Sequence, residues 1–190
     1  MDERTVRANA LKFVQDVYGD DQDILMATLQ DETSDAFKLL KQAVNHKVKR
    51  FIYASSGSVY GVKKEKKVIE DLDLKPISLY NKVKMCTERI VLSFKNKIET
   101  FIIRPATVCG YSPRMRLDLT VNALTFSAMH KKKITVFGGR QIRPNIHIDD
   151  LTNLYIFFLK VNKKFSGIYN AGFENMSVLN IAKSVSKITN

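Results

Sequence analysis

The sequence predicts an α/β fold in which a mostly parallel β-sheet is covered by helices on both faces. Short runs rich in β-branched and aromatic residues, such as KRFIYASS and ETFIIRP, alternate with amphipathic segments of helical spacing. This alternation is typical of parallel strands joined by helical crossovers, which are buried on both faces. The chain has 190 residues, 45% of them hydrophobic, so we expect one domain or the larger part of one.

The predicted elements follow one another in a regular order. We divide the chain into a helical N-terminal segment, 1–33, which we leave unassigned, and an α/β domain, 34–190. Apolar spacing predicts helices, and β-rich runs bounded by small or turn residues predict strands. In chain order the predictions are a helix over 6–19, a helix over 34–45, a strand in 49–56, a helix over 80–94, a strand in 99–105, a helix over 117–130, a short strand over 134–137, a helix over 148–160, a strand in 165–172 and a helix over 177–188.

Composition narrows the class of protein. The net charge of +12 suits an anionic ligand or a nucleic-acid surface, but the lysine clusters lack interleaved aromatic residues, which favours solvated loops and helix ends. No apolar run is long enough for a membrane span, and the first residues lack the apolar block of a signal peptide. The two cysteines, Cys86 and Cys109, form no metal or disulfide pattern. We therefore expect a cytoplasmic protein without a metal site or a membrane partner.

Three side chains point to proton-transfer chemistry. Tyr80 and Lys84 are four residues apart in a segment of helical spacing, so they share one helix face, and Ser56 follows the strand-like run KRFIYAS. A phenol titrates near pH 10, and a neighbouring ammonium favours its ionised form. A serine hydroxyl can hydrogen-bond the same reacting oxygen. The set could therefore move a proton to or from the oxygen of an alcohol carbon.

Five separate segments carry a resemblance to a known family. They are KRFIYASSGSVYG, LYNKVKMCTE, FIIRPATVCG, ITVFGGRQIRPNIHIDDL and GIYNAGFENMSVLNIA. In this order they resemble the extended short-chain dehydrogenase/reductase superfamily, in particular its NAD-dependent nucleotide-sugar epimerases and dehydratases. The resemblance implies a Rossmann-like parallel sheet with helices on both faces, NAD as the cofactor and a nucleotide-sugar as the substrate. By analogy it also implies a homodimer that forms through the Tyr-x-x-x-Lys helix.

The resemblance also implies roles for individual residues. Ser56 takes the place of the active-site serine or threonine, Tyr80 that of the acid/base, and Lys84 that of the residue that contacts the nicotinamide ribose. The remaining assignments place Pro105 and Ala106 at the nicotinamide, Thr107 at the sugar, Phe137 at the nucleotide base and Arg143 at a phosphate. Two alternatives stay open: Phe137 as a core residue, and Arg143 as a solvated loop charge.

The resemblance favours epimerisation over water elimination. Dehydratase relatives carry Asp-Glu directly after the active-site serine or threonine, whereas here Gly57 and Ser58 occupy those positions and neither titrates. Epimerisation through a keto-sugar intermediate needs only the serine, tyrosine and lysine together with NAD. It therefore fits this sequence better.

The sequence lacks the family's glycine-rich turn, G-x-x-G-x-x-G, where backbone N–H groups hold the NAD pyrophosphate. The fold is therefore expected to be incomplete at its N-terminus. Three situations stay open: a fragment of a longer protein, a chain completed by another polypeptide, or a remnant without activity. The alternative function is a non-catalytic Rossmann-like protein whose basic surface binds RNA or a protein partner.

Overall fold

The computed structural model describes Thr5, residues 23–65 and residues 67–189, with side chains described for Thr5 and from residue 34 onward. Within this part of the chain the helices are α1 (Asp23–Asn45), α2 (Leu79–Ser93), α3 (Thr120–Lys131), α4 (Ile148–Lys160) and α5 (Val178–Thr189). The strands are β1 (Arg50–Ala54), β2 (Glu99–Pro105), β3 (Thr107–Cys109), β4 (Ile142–His147), β5 (Gly167–Ala171) and β6 (Glu174–Ser177). The helix predicted over 6–19 lies outside the described residues.

The chain divides into two compact units. The first contains the described residues up to Arg104 together with Phe158–Tyr169, and the second contains Pro105–Phe157 together with the residues from Asn170 onward. Helix α1 begins at Asp23 and so runs across the predicted domain boundary at residue 33. No helix in the described part of the chain is both long enough and apolar enough to cross a membrane.

The main sheet has the strand order β1–β2–β5. Strands β1 and β2 are parallel, with Arg50 opposite Glu99 and Ala54 opposite Ile103. The Arg50 guanidinium donates to Glu99 at 2.6 Å and to the Val161 carbonyl at 2.7 Å, which fixes the start of β1. The predicted Rossmann-like α/β class is therefore confirmed.

Helices cover both faces of this sheet, as predicted. On one face, α1 and α2 meet β2 in a buried cluster in which the rings of Phe37 and Phe94 lie 5.4 Å apart and Ile102 is fully buried. Successive side chains of a strand point to opposite faces, so Phe101 lies on the other face from Ile102. There the Phe101 ring lies 5.2 Å from Phe158, at the end of α4.

The second unit contains a second sheet that the sequence did not predict. Its strand order is β3–β4–β6, with β3 and β4 parallel and β4 and β6 antiparallel. Helices α3 and α5 pack together through Leu124, Ala128, Ile181 and Val185. The predicted strand over 134–137 is wrong, because this segment has no regular secondary structure. Its two aliphatic residues pack against the α3–α5 cluster instead of pairing with a strand.

Two local features fix the start of α2 and the loop before it. The Ser78 hydroxyl caps α2 by accepting a hydrogen bond from the Asn81 backbone N–H at 3.3 Å, a common signal for a helix start. Gly61 has a φ of +69°, and a Cβ at this position would lie 2.0 Å from the Lys75 carbonyl oxygen. Only glycine fits there, so Gly61 brings the two ends of the 61–75 loop together.

Candidate active site

The residues from Ser55 to Tyr60 form a loop, the serine loop, that follows directly from the end of β1. Ser55 is 2% exposed, whereas Ser56 is half-buried at the start of a 3₁₀ helix, Gly57–Tyr60. The Ser56 hydroxyl caps this helix by accepting from the Ser58 backbone N–H at 3.2 Å. The small residues after the buried strand therefore turn the chain and present Ser56 at the surface of the first unit.

The structure brings Tyr80 and Lys84 together on α2, as the four-residue spacing predicted. The Lys84 Nζ lies 5.6 Å from the centroid of the Tyr80 ring and 5.0 Å from that of Tyr53. The same ammonium donates a hydrogen bond of 2.8 Å to the Ala54 carbonyl, at the end of β1. The Tyr80 side chain is 58% exposed, so a ligand can reach the phenol.

Ser58 links Ser56 to the first turn of α2 through two short contacts. Ser56 Oγ and Ser58 Oγ lie 2.7 Å apart, and the Ser58 hydroxyl donates to Asn81 Oδ1 at 2.6 Å. All three predicted catalytic residues, Ser56, Tyr80 and Lys84, therefore lie on segments that contact each other within the first unit. No sequence pattern assigned a role to Asn81, because its contact depends on how the loop folds back onto the helix.

A buried ion pair lies beneath this surface. Arg104 and Glu88, with side chains 3% and 2% exposed, form a two-pronged contact of 2.9 Å and 2.7 Å. Arg104 also donates to the Tyr60 hydroxyl at 2.6 Å and to the Glu70 carbonyl at 3.1 Å, and the Ser55 hydroxyl donates to Glu88. The pair thus joins β2, α2 and both ends of the serine loop. It stays fully hydrogen-bonded, as a buried charge requires.

Electrostatics keep Arg104 charged. Burial disfavours the charged guanidinium, but the hydrogen bonds and charge of Glu88, assisted by Tyr60, raise the pKa of Arg104 above its ordinary value. This pair was not predicted from the sequence. Its signals were a single arginine inside the apolar run FIIRP and a glutamate on the apolar face of α2.

The residues predicted to meet the nicotinamide and the sugar lie in the second unit. Pro105 and Ala106, at the end of β2, are half-buried, and the Ala106 N–H donates to the Ala171 carbonyl at 2.7 Å. Thr107 lies in β3, opposite Asn145 of β4. Pro105 and Thr107 therefore lie in strands, and Ala106 joins them.

Phe137 and Arg143 are both open to solvent. The Phe137 side chain is 83% exposed, so the alternative of a core residue is wrong. It lies just before Gly138 and Gly139, both with positive φ, and its carbonyl accepts from Gly139 at 2.9 Å. Arg143 is exposed on β4, opposite Met176 of β6, rather than on a loop. Both side chains are available to a ligand of the second unit.

The second unit also contains a cleft of about 450 Å³. Strand β4 and helix α5 contribute Ile146, Val185 and Ile188, so its walls are mainly apolar. Among the described residues, no group of three or more His, Cys, Asp or Glu side chains could hold a metal ion. Burial raises the pKa of the Cys109 thiol at the edge of this cleft.

Comparisons with known proteins place these features in a family. The model of the NAD dependent epimerase/dehydratase family matches residues 15–172. The uncharacterized UDP-glucose epimerase YtcB of Bacillus subtilis is 31% identical over 80% of this chain and 48% of its own length. A dTDP-D-glucose 4,6-dehydratase of Bos taurus is 30% identical over 77% of this chain and 42% of its own length.

A solved structure agrees with this match. The UDP-glucuronic acid 4-epimerase from Bacillus cereus, in complex with UDP-glucuronic acid and NAD, superposes with a TM-score of 0.74 at 29% identity. The match covers 95% of this chain and 62% of that protein. The chain spans about half the length of the curated relatives it matches.

Proposed function

This chain belongs to the NAD dependent epimerase/dehydratase family, and from that premise we propose that it carries the proton-transfer site of a nucleotide-sugar epimerase. The observation that carries the proposal is the exposed Tyr80 phenol above the Lys84 ammonium, which the Ala54 carbonyl holds in place. An ammonium carries three N–H donors, a group that suits the hydroxyls of a ribose. The pair therefore fits the nicotinamide ribose of NAD as well as the sugar.

The reaction would proceed through a keto-sugar. When bound, NAD would supply the hydride acceptor. Tyr80 would take the proton of the sugar hydroxyl as the carbon beneath it is oxidised, and Ser56 would donate a hydrogen bond to the ketone oxygen that results. With the carbon reduced again from its opposite face, Tyr80 would return the proton to the ketone oxygen, which would give the epimer.

The residues proposed to contact the nucleotide belong to the second unit. The planar Arg143 guanidinium on β4 suits a phosphate, and the exposed Phe137 ring suits stacking on the base. Pro105 and Ala106 would contact the nicotinamide, and Thr107 the sugar.

Epimerisation is favoured over elimination by the residues after Ser56. Gly57 has no side chain, and Ser58 is a hydroxyl that donates to Asn81. Neither supplies the acid and base that loss of water needs at neutral pH. UDP-glucose is the first substrate to test, because UDP-glucose epimerases are among the relatives.

The direct test is to incubate the purified chain with NAD and UDP-glucose and to follow the sugar configuration by proton NMR. We expect UDP-galactose to form, and we expect no 4-keto-6-deoxy sugar from dTDP-glucose. Reactions without NAD serve as the control. Folded protein that neither binds NAD by calorimetry nor changes the sugar would refute catalysis by this chain.

A further inference from the structure

Ser58 and Asn81 connect the Ser56 hydroxyl to the first turn of α2. The two serine oxygens lie 2.7 Å apart, and Ser58 Oγ lies 2.6 Å from Asn81 Oδ1. The Ser58 backbone N–H occupies one lone pair of Ser56 Oγ, at 3.2 Å. The side chain and backbone of Ser58 together thus hold the Ser56 oxygen, and Ser56 is only partly buried.

Counting protons fixes the direction of this chain of hydrogen bonds. A hydroxyl donates one proton and accepts with two lone pairs. When Ser58 donates to Asn81, the bond between the serines must carry the Ser56 proton. Ser56 then faces a ligand with a lone pair only, and it cannot donate to a ketone oxygen.

Turning the Asn81 amide by a half rotation exchanges its oxygen and nitrogen and reverses the direction. The amide NH₂ then donates to Ser58, and Ser58 donates its own proton to Ser56. This frees the Ser56 proton for the ligand. An amide can support both directions because it carries an acceptor and two donors at nearly equivalent positions.

We infer that Ser58 and Asn81 are positioning residues that set whether Ser56 donates its proton inward or toward the substrate. This inference rests on the proposed function, in which Ser56 must donate to the sugar oxygen once that oxygen has lost its proton. The inward direction is the resting one, as in the structure. A ketone oxygen, which only accepts hydrogen bonds, selects the outward direction.

A double-mutant cycle tests the relay. In Asn81→Asp, a carboxylate that can only accept holds the Ser58 proton and locks Ser56 inward. We expect kcat with NAD and UDP-glucose to fall on the order of tenfold, the loss of one hydrogen bond to the reacting oxygen, with little change in KM. In Ser58→Ala, which breaks the relay, kcat falls less, and adding Asn81→Asp to it causes no further loss.

Two outcomes would overturn the relay. One is a fall in kcat on Asn81→Asp that is equally large with and without Ser58, because the new charge would then act directly on the reaction. The other is a KM rise with unchanged kcat. Ser93→Ala is the matched control, since its hydroxyl lies on the same helix but bonds the Ile90 carbonyl.

A second measurement does not depend on turnover. Neutron diffraction from deuterium-exchanged crystals of the wild-type chain shows where the serine protons point. We expect a deuteron on the line from Ser58 Oγ to Asn81 and another on the line between the two serines. Deuterons that point to solvent would overturn the relay, whereas aligned deuterons in a chain without turnover would count only against the proposed function.

Discussion

The two halves of α2 hold their polar side chains in opposite environments. In the first turns, Tyr80 is 58% exposed. Asn81 accepts a hydrogen bond from the serine loop, and Lys84 donates one to the end of β1. Further along, Glu88 is 2% exposed and is bound by Arg104. One half can exchange hydrogen bonds with a ligand, and the other cannot.

This difference shows how one helix can be both reactive and fixed. A buried ion pair costs desolvation that its attraction offsets only with good geometry, so such a pair is better explained as a positioning contact than as a source of stability. Here Arg104 and Glu88 bind β2, α2 and the serine loop into one arrangement. The exposed turn is thereby held in place while its own side chains stay free to change partners.

The largest expected effect separates function from stability at the exposed half. Tyr80→Phe removes the phenol that we propose transfers the proton, so turnover of UDP-glucose should fall by about 10²- to 10⁴-fold. Affinity for NAD by calorimetry and the free energy of unfolding should stay close to those of the wild type. Tyr169→Phe is the matched control, because that hydroxyl bonds the Phe165 carbonyl away from the site. Full turnover in Tyr80→Phe would remove the residue from the mechanism.

The buried half should show the reverse pattern. Glu88→Ala leaves the Arg104 guanidinium buried without its carboxylate, so the free energy of unfolding should fall by about 3–5 kcal/mol. Denaturant unfolding followed by circular dichroism measures this loss. Replacing both residues at once, as Glu88→Leu with Arg104→Met, should recover much of it. A single variant as stable as the wild type would mean that the pair does not fix α2.

The third prediction concerns how the free energy of unfolding depends on pH through Cys86, in the buried half of α2. Burial raises the pKa of the Cys86 thiol to about 11, although the charge of Arg89 lowers it in part. A thiol in the unfolded chain ionises near pH 9, so this group contributes stability that is complete below that pH. The contribution should be lost as pH rises toward 11, a fall of up to about 2–3 kcal/mol.

Cys86→Ala should lack this fall in unfolding free energy between pH 9 and pH 11, the window between the unfolded and folded pKa values. Cys109→Ala, the matched control, should still show the part of this fall in unfolding free energy that Cys86 causes. Parallel pH profiles for the wild type and Cys86→Ala would contradict a buried, protonated thiol.

The smallest effect concerns an ion pair at the surface. Arg116 and Asp118 form a close contact, but their side chains are 66% and 62% exposed. The hydrogen bonds from Arg116 lower the pKa of Asp118, so any stabilisation is present above its ordinary value and is lost as pH falls through the lowered one. Arg116→Ala should leave the unfolding midpoint at pH 7 unchanged within error. A loss comparable with that of Glu88→Ala would end the contrast between buried and exposed pairs.

The sequence predicted the elements that carry their own local signals. Strands β1 and β2 and helices α2 and α4 were predicted closely, because apolar runs and helical spacing coincide there with a cap or a breaker such as Ser78 and Pro105. Strands β3, β4 and β6 were missed. β3 is only three residues long, and β4 contains Arg143 and Pro144 instead of a β-rich run.

Contacts within the candidate site were predicted where one element brings the residues together. Tyr80 and Lys84 meet because helical geometry fixes residues four apart. The contacts of Glu88 with Arg104, and of Ser58 with Asn81, join segments 16 and 23 residues apart in the chain. Such contacts depend on how the loop and strands pack, and no local pattern encodes that.

The close approach of Gly61 to Lys75 has a practical consequence for engineering. Gly61 lies against the Lys75 carbonyl, so the ends of the 61–75 loop are close together. The length of this loop therefore does not set the distance between the serine loop and α2. A short peptide tag inserted between Lys64 and Glu65, both exposed, would therefore leave the candidate site in register. The same tag placed next to Gly61 would separate Gly61 from Lys75. It would thereby disconnect the serine loop from α2.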